Sequence, residues 1–221
     1  MDYSPVPVAA RAAIGTDETL GDLRFRALIA DDDWATLPIQ IRRRFSRRLA
    51  DGNTAVYVGE ILETRTNMAG WLLAHAARLT GSPFPVGRDT HVPSVVSVTE
   101  DMPNGGQIWT RLYARRRRFP QIVHSSKRFA GQTGLEEHVG HGVGMTLTME
   151  VKDDALVFRS RDYFVEFFGL RIRLPTWLTP GALTVTHAEC ADGRFSFTLD
   201  VVHPRFGLLI RQMGLFREAR A

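Results

Sequence analysis

The residue types that could do chemistry sit in segments that read as strands. In the run Leu183–Cys190, His187 and Glu189 continue the apolar face of Leu183 and Val185. In the run that follows, His203 continues the face of Phe195, Phe197, Leu199 and Val201. Side chains alternate faces along a strand, so this spacing turns both imidazoles and the carboxylate inward. A histidine titrating near neutrality suits general acid–base work, which makes His187, Glu189 and His203 the candidate catalytic residues. A histidine on an apolar face is also a common core residue with its hydrogen bonds satisfied, and the sequence leaves both readings open.

A second constellation points to binding. Trp109, Arg111 and Tyr113 share one face of their strand, with Ile108, Thr110 and Leu112 on the other. An inward guanidinium needs a carboxylate, either from the protein or from a ligand. Trp109, Arg111 and Tyr113 are therefore candidate ligand-binding residues, together with Phe164 and Trp71. Asp162 and Glu166, four apart, are read on one face with Phe158 and Phe164. They form either an acid–base pair or the partners of Arg111 or Arg128. Glu137-His138 with His141 has the spacing of a metal-binding turn, but Gly140 and Gly142 around it favour a polar loop, and no metal is expected. The run Arg115–Arg118 lacks interleaved aromatics and reads as a solvated strand end rather than a nucleic-acid groove.

Composition narrows the classes. The 221 residues carry a formal charge of +4, and Lys127 and Lys152 are the only lysines, so the basicity is nearly all arginine. Arginine favours phosphate and carboxylate partners, but an arginine-rich composition also follows from GC-rich coding. Cys190 is the single cysteine, which excludes an internal disulfide and a cysteine metal cage and favours a reducing compartment. The start Met1-Asp2-Tyr3-Ser4-Pro5 lacks the basic and apolar regions of a signal peptide, and no apolar run is long enough to span a bilayer. A cytoplasmic location is expected.

The elements that must position these residues follow from periodicity. Residues 1–20 show no period and are expected to form an N-terminal arm, with 21–221 a single β-rich domain. Trp34, Leu37, Ile41, Phe45 and Leu49 fall three or four apart, which predicts one helix with Pro38 near its start and arginines on its outer face. Asn67 is placed to cap a second helix, Met68 to Leu79, that is apolar nearly all round and so expected to be buried on most sides. From His91 onward short alternating runs follow one another between turn signals, among them Asn104-Gly105 and Asp192-Gly193. The expected class is α+β: about eight antiparallel strands in a curled sheet, half-barrel or calycin-like, with two or three helices packed on or in it.

The order of short motifs from Trp34 to Phe216 resembles the bacterial family called domain of unknown function 4166. The run Gln107-Ile108-Trp109-Thr110-Arg111 resembles its Trp-x-Arg strand. Leu135-Glu136-Glu137, Leu174-Pro175, Asp192-Gly193-Arg194-Phe195, His203-Pro204-Arg205-Phe206-Gly207 and Gln212-Met213-Gly214-Leu215-Phe216 follow in the family's order. The family is similar to the C-terminal part of longer proteins that begin with a saccharopine-dehydrogenase-like or short-chain-dehydrogenase-like unit. This chain carries no Gly-x-Gly-x-x-Gly, so no nicotinamide or other cofactor is expected on it.

Three functions fit these features. The first is a binding module whose curled sheet encloses a pocket for a small hydrophobic or carboxylate-bearing metabolite. The second is a metal-independent isomerase, cyclase or hydrolase using the same pocket. The third is an accessory subunit of a separate dehydrogenase. Neither nucleic acid nor a membrane is expected as a partner.

Overall fold

The structure, a computed structural model, describes residues 21–50, 52–81 and 84–219. The expected arm at 1–20 lies outside the described residues. The alternating runs form β1 (Ala55–Thr66), β2 (Val92–Asp101), β3 (Gly106–Tyr113), β4 (Gln121–Arg128), β5 (Glu136–Gly140) and β6 (Val143–Lys152). They continue as β7 (Ala155–Phe167), β8 (Leu170–Arg173), β9 (Ala182–Glu189), β10 (Phe195–His203) and β11 (Gly207–Glu218). The sheet order is β6-β5-β4-β3-β2-β1-β11-β10-β9-β7-β8 with every neighbour antiparallel, and β6 also pairs with β7. That last pairing closes a barrel of 10 strands and leaves β8 as an extra strand. Closure removes the sheet edges that would otherwise invite pairing with another chain.

The count exceeds the expected eight for identifiable reasons. β5 is built from Glu136, Glu137, His138, Val139 and Gly140, whose inward carboxylate hides the apolar alternation that marks a strand. β8 is four residues long and exposed throughout. Within β7 the register shifts: Met145 faces Tyr163 but Leu147 faces Ser160, so Arg161 and Asp162 together oppose Thr146. Such a bulge adds one residue and flips the faces beyond it. β9 pairs with β7 before the bulge, at Leu156–Arg159, and β8 pairs with it after, at Phe164–Phe167.

The helices are short. The expected helix after Trp34 is two: α1 (Asp31–Thr36) and α2 (Ile39–Phe45). Leu37 between them is extended, with ψ 142°, because the ring of Pro38 disfavours the helical region for the residue before it. The Asn67 side chain accepts a 2.7 Å hydrogen bond from the Gly70 amide and caps α3 (Met68–Ala76) as expected. A 3-10 turn, Ala77–Thr80, continues it. Gly70 lets α3 lie directly on β11, since a Cβ there would sit 2.0 Å from the Leu209 carbonyl oxygen. The expectation that this helix is buried on most sides fails: Gly70 and Ala74 are buried, while Met68, Trp71, Leu72 and, in the turn, Leu79 are exposed. It lies across one end of the barrel, so one side has a floor and the other has none.

The barrel thus has two unlike ends. At one, β1 finishes, β2 begins and the β3–β4, β5–β6, β7–β8 and β10–β11 connections gather around α3; this is the open end. The other is plugged by residues 22–49. There Phe25 packs edge-on against Phe45, Phe129 and Phe158, with centroids 5.4, 4.8 and 6.3 Å away, and Leu37 and Ile41 are buried with it. Phe45 also reaches Trp109, so the plug touches the barrel's interior directly.

A cavity with a buried ion cluster

Between plug and open end the barrel encloses a cavity of about 370 Å³. Its size falls within the range typical of small-molecule sites, roughly 300–1,000 Å³. Inward residues of the strands, such as Val96, Val123, Met145, Phe158, Leu199 and Phe216, make the wall apolar. At the open end Leu73 and Ala77 of the α3 region, Phe84, and Leu174, Leu178 and Pro180 of the β8–β9 connection surround it.

Among the described residues lining this cavity three are charged: Arg111, Lys127 and Glu137. They come from adjacent strands, and register places them together: Lys127 of β4 pairs with Glu137 of β5, and Arg111 of β3 lies opposite Val123 of β4, inward with it. Lys127 Nζ is 3.0 Å from Glu137 Oε2, and Arg111 Nη2 is 3.7 Å from Glu137 Oε1. Arg111 Nη1 also donates to Ser125 Oγ at 3.0 Å. The ammonium lies over the rings of Trp109 and Phe158, 5.3 and 5.4 Å from their centroids, a cation–π arrangement in a dry setting. The Trp109 indole N–H is buried and has no hydrogen-bond acceptor among the described residues.

The electrostatics follow from burial and proximity. Burial alone would raise the Glu137 pKa, but Lys127 and Arg111, with a hydrogen bond from Ser125, outweigh it and hold the carboxyl at about 2. Burial lowers the Lys127 pKa; Glu137 opposes that shift and Arg111 adds to it. Tyr163, whose hydroxyl donates to Gly181 O at 2.9 Å, is pushed up to about 12 chiefly by burial. Two cations therefore share one carboxylate, and Lys127 holds its proton less firmly than in water.

The expected site residues divide. Trp109, Arg111 and Tyr113 line the cavity together. Phe164 does not: the β7 bulge turns it to the outer face, where it packs on Gly144 and lies beneath the Arg171 guanidinium, 4.1 Å from its ring centroid. A Cβ on Gly144 would meet the Phe164 ring at 2.5 Å, so a side chain there would push that ring aside. Trp71 stacks on His75 on the outer side of α3 and does not line the cavity. His187, Glu189 and His203 are not brought together around it. His187 is fully buried between the barrel and the plug, among Phe45, Phe195 and Phe197, and an Arg44 N–H lies 2.7 Å from its Nε2. Accepting that bond leaves the imidazole neutral, and burial, then Arg44, lower its pKa well below 6.5. Glu189 pairs with the same Arg44 at 3.1 Å. His203 sits in the hairpin at the open end, six residues along β10 from the partner of His187 and so roughly 20 Å away, where its Nδ1 accepts from the Arg205 amide.

The other carboxylates also find different partners from those expected. Asp162 pairs with Arg173, Glu166 with Arg171, and Arg128 with Asp101. Glu136 and His138 belong to the outer face, where Glu136 takes Arg171 at 2.5 Å and His138 at 3.2 Å. His141 lies in the β5–β6 turn, so the three residues of the Glu137-His138-His141 spacing diverge. Among the described residues no cluster of three His, Cys, Asp or Glu side chains could hold a metal ion.

Lys127, Ser125 and Tyr163 were not expected at the site, and Glu137 was expected only in a polar loop with His138 and His141. One signal was present: in a chain that uses arginine almost everywhere, Lys127 is one of two lysines, and a compact ammonium is the cation whose proton affinity burial can tune.

Fold and site together define a closed antiparallel β-barrel with an apolar internal cavity and an ion cluster on its wall. The chain belongs to the family described as Domain of unknown function (DUF4166), whose model matches residues 37–216. No curated protein and no solved structure matches the chain.

Proposed function

We propose that the barrel binds a small amphipathic ligand with an apolar body and a carboxylate head. The carrying observation is the charge imbalance inside the cavity: Glu137 alone among the described lining residues offsets both Lys127 and Arg111. An unbalanced buried charge is costly, and a ligand carboxylate that accepts from Arg111 and Lys127 removes that cost. The unpartnered Trp109 N–H supplies a further donor on the same wall. Within the cluster Lys127 is the cation nearest the plug, over Trp109 and Phe158, so a carboxylate held by it leaves the ligand's body along the apolar wall toward the open end.

Calorimetric titration with decanoate and with 1-decanol, each below its solubility limit, tests the reading. The acid should bind at least tenfold more tightly than the alcohol, and Lys127→Met should remove most of that preference. Equal affinities for the two in the wild-type protein would refute it.

One observation favours a second reading, metal-independent acid–base chemistry in the same cavity. Lys127 has a lowered pKa and stands 3.0 Å from Glu137, an arrangement that can pass a proton to and from a bound molecule. Conversion of a bound ligand that is lost in Lys127→Met and kept in His187→Leu would support it; unchanged ligand recovered after long incubation would count against it.

A further inference from the structure

We infer that the open end of the barrel docks on the surface of an anionic lipid bilayer. The large apolar residues that the fold leaves exposed are not scattered. Apart from Leu23, Ile39 and Met102, they lie at or near the open end. The most prominent stand at the tips of separate connections: Phe119 in the β3–β4 loop and Phe168 in the β7–β8 turn are each 93% exposed, Leu79 beyond α3 is 83% exposed, and Trp177 in the β8–β9 connection is 75% exposed. Phe168 holds a left-handed backbone, φ 48°, which a bulky residue adopts only at a cost, and its ring gains no burial in return. Met68 and Leu72 on α3, and Phe206 in the β10–β11 hairpin, continue the rim.

The charges of that rim say what it fits. Arginines occur at both ends: in the plug Arg44 pairs with Glu189, Arg47 with Glu218 and Arg24 with Asp22, while Arg42, Arg43 and Arg48 have no carboxylate partner among the described residues. At the open end Arg78, Arg88, Arg205 and the run Arg115–Arg118 have no carboxylate partner among the described residues. Of the carboxylates there, Glu63, Asp162 and Glu166 are already held by arginines, Glu60 stands 3.8 Å from His91, and Asp89 has no ion-pair partner among the described residues. Aromatic and aliphatic tips interleaved with unpaired arginines match the headgroup layer of a bilayer with negative lipids, where rings enter the interface and guanidinium groups meet phosphates. A protein partner would need acidic chemistry and a surface fitted to several separate projecting tips; a fluid lipid surface needs only the first. Among the described residues no helix is long and apolar enough to cross a membrane, so the contact is made by the rim. This inference departs from the sequence expectation that no membrane is involved. It stands on the exterior alone and does not depend on what the cavity holds.

The experiment is flotation of the full chain with large unilamellar vesicles, one set of phosphatidylcholine and phosphatidylglycerol at 7:3 and one of phosphatidylcholine only, both free of fatty acid. The wild-type protein should float with the mixed vesicles at least tenfold more than with the neutral ones, and 0.5 M salt should weaken the binding severalfold. The double variant Phe168→Ser, Trp177→Ser should lose tenfold or more, with an unchanged circular dichroism spectrum and melting midpoint; Leu23→Ser, Met102→Ser at the plugged end should float as wild type. Lys127→Met should also float as wild type, which separates this inference from the cavity reading. No flotation with either vesicle set would overturn it. So would equal flotation of the tip variant, or tip-dependent dimerisation in sedimentation without vesicle binding, which would assign the rim to a second copy of the chain.

Discussion

The two ends of this barrel solve opposite problems with the same residue types. At the plugged end aromatic rings are buried against one another and Arg24, Arg44 and Arg47 are held by carboxylates; at the open end aromatic rings project into solvent and Arg78, Arg88, Arg205 and the run Arg115–Arg118 have no carboxylate partner among the described residues. The difference separates what holds the fold from what is left free for a ligand or a partner. A packed aromatic plug fixes the barrel, and its buried His187 is spent on structure. The open end lacks that packing, and the proposed ligand entry and membrane contact both rest on it.

The largest expected effect is at the plug. Phe45 contacts Phe25, Trp109, Phe158 and His187, so Phe45→Ala should cost about 4 kcal/mol of unfolding free energy, the usual scale for emptying an aromatic core site. Urea denaturation measures it, and a loss under 1 kcal/mol, by order of magnitude, would mean the plug is not part of the core. Next comes the ion cluster. Glu137→Gln leaves two buried cations without their carboxylate and should cost about 3 kcal/mol at neutral pH. A stability equal to wild type would show the pair is not formed.

Acid titration separates the two regions further. The folded-state pKa of His187 is depressed, so below 6.5 the unfolded chain takes up a proton that the folded chain refuses, and stability falls as pH drops from there. Glu137 is depressed to about 2 from 4.5, so its contribution is complete above 4.5 and is lost as pH falls through about 2. His187→Leu should therefore flatten the stability curve between pH 6.5 and 5 on the order of the wild-type slope there, and Glu137→Gln should flatten it only below pH 4.5. A His187→Leu curve parallel to wild type over the upper window would place that histidine in contact with solvent. The smallest effect belongs to the rim: Phe168→Ser or Trp177→Ser should change stability by less than about 0.5 kcal/mol, because both rings are largely exposed.

Much of this was legible from the sequence. Period-two alternation located most strands, Asn67 announced its helix cap, and Trp109, Arg111 and Tyr113 were correctly placed on one face. What failed did so for local physical reasons. A bulge at Arg161 and Asp162 reversed the face of Phe164, and no composition signal marks a bulge. β5 was hidden because Glu137 points inward, and a buried carboxylate reads as turn until its partners on neighbouring strands are known. His187 was seen to face inward, but the plug that covers it comes from residues more than a hundred positions away. The barrel's closure depends on β6 meeting β7, a pairing set by a tight turn at Asp153-Asp154, where both residues adopt positive φ.

The direct test of the account is where a ligand's head lies in the barrel. Crystals grown with 10-bromodecanoate would show the bromine by its anomalous signal and the carboxylate by its density. The carboxylate should lie within hydrogen-bonding distance of Lys127 and Arg111, with the bromine toward Leu174 and Leu178 at the open end. A carboxylate at the rim with the tail directed at Glu137, or a cavity without ligand at saturating concentration, would contradict it.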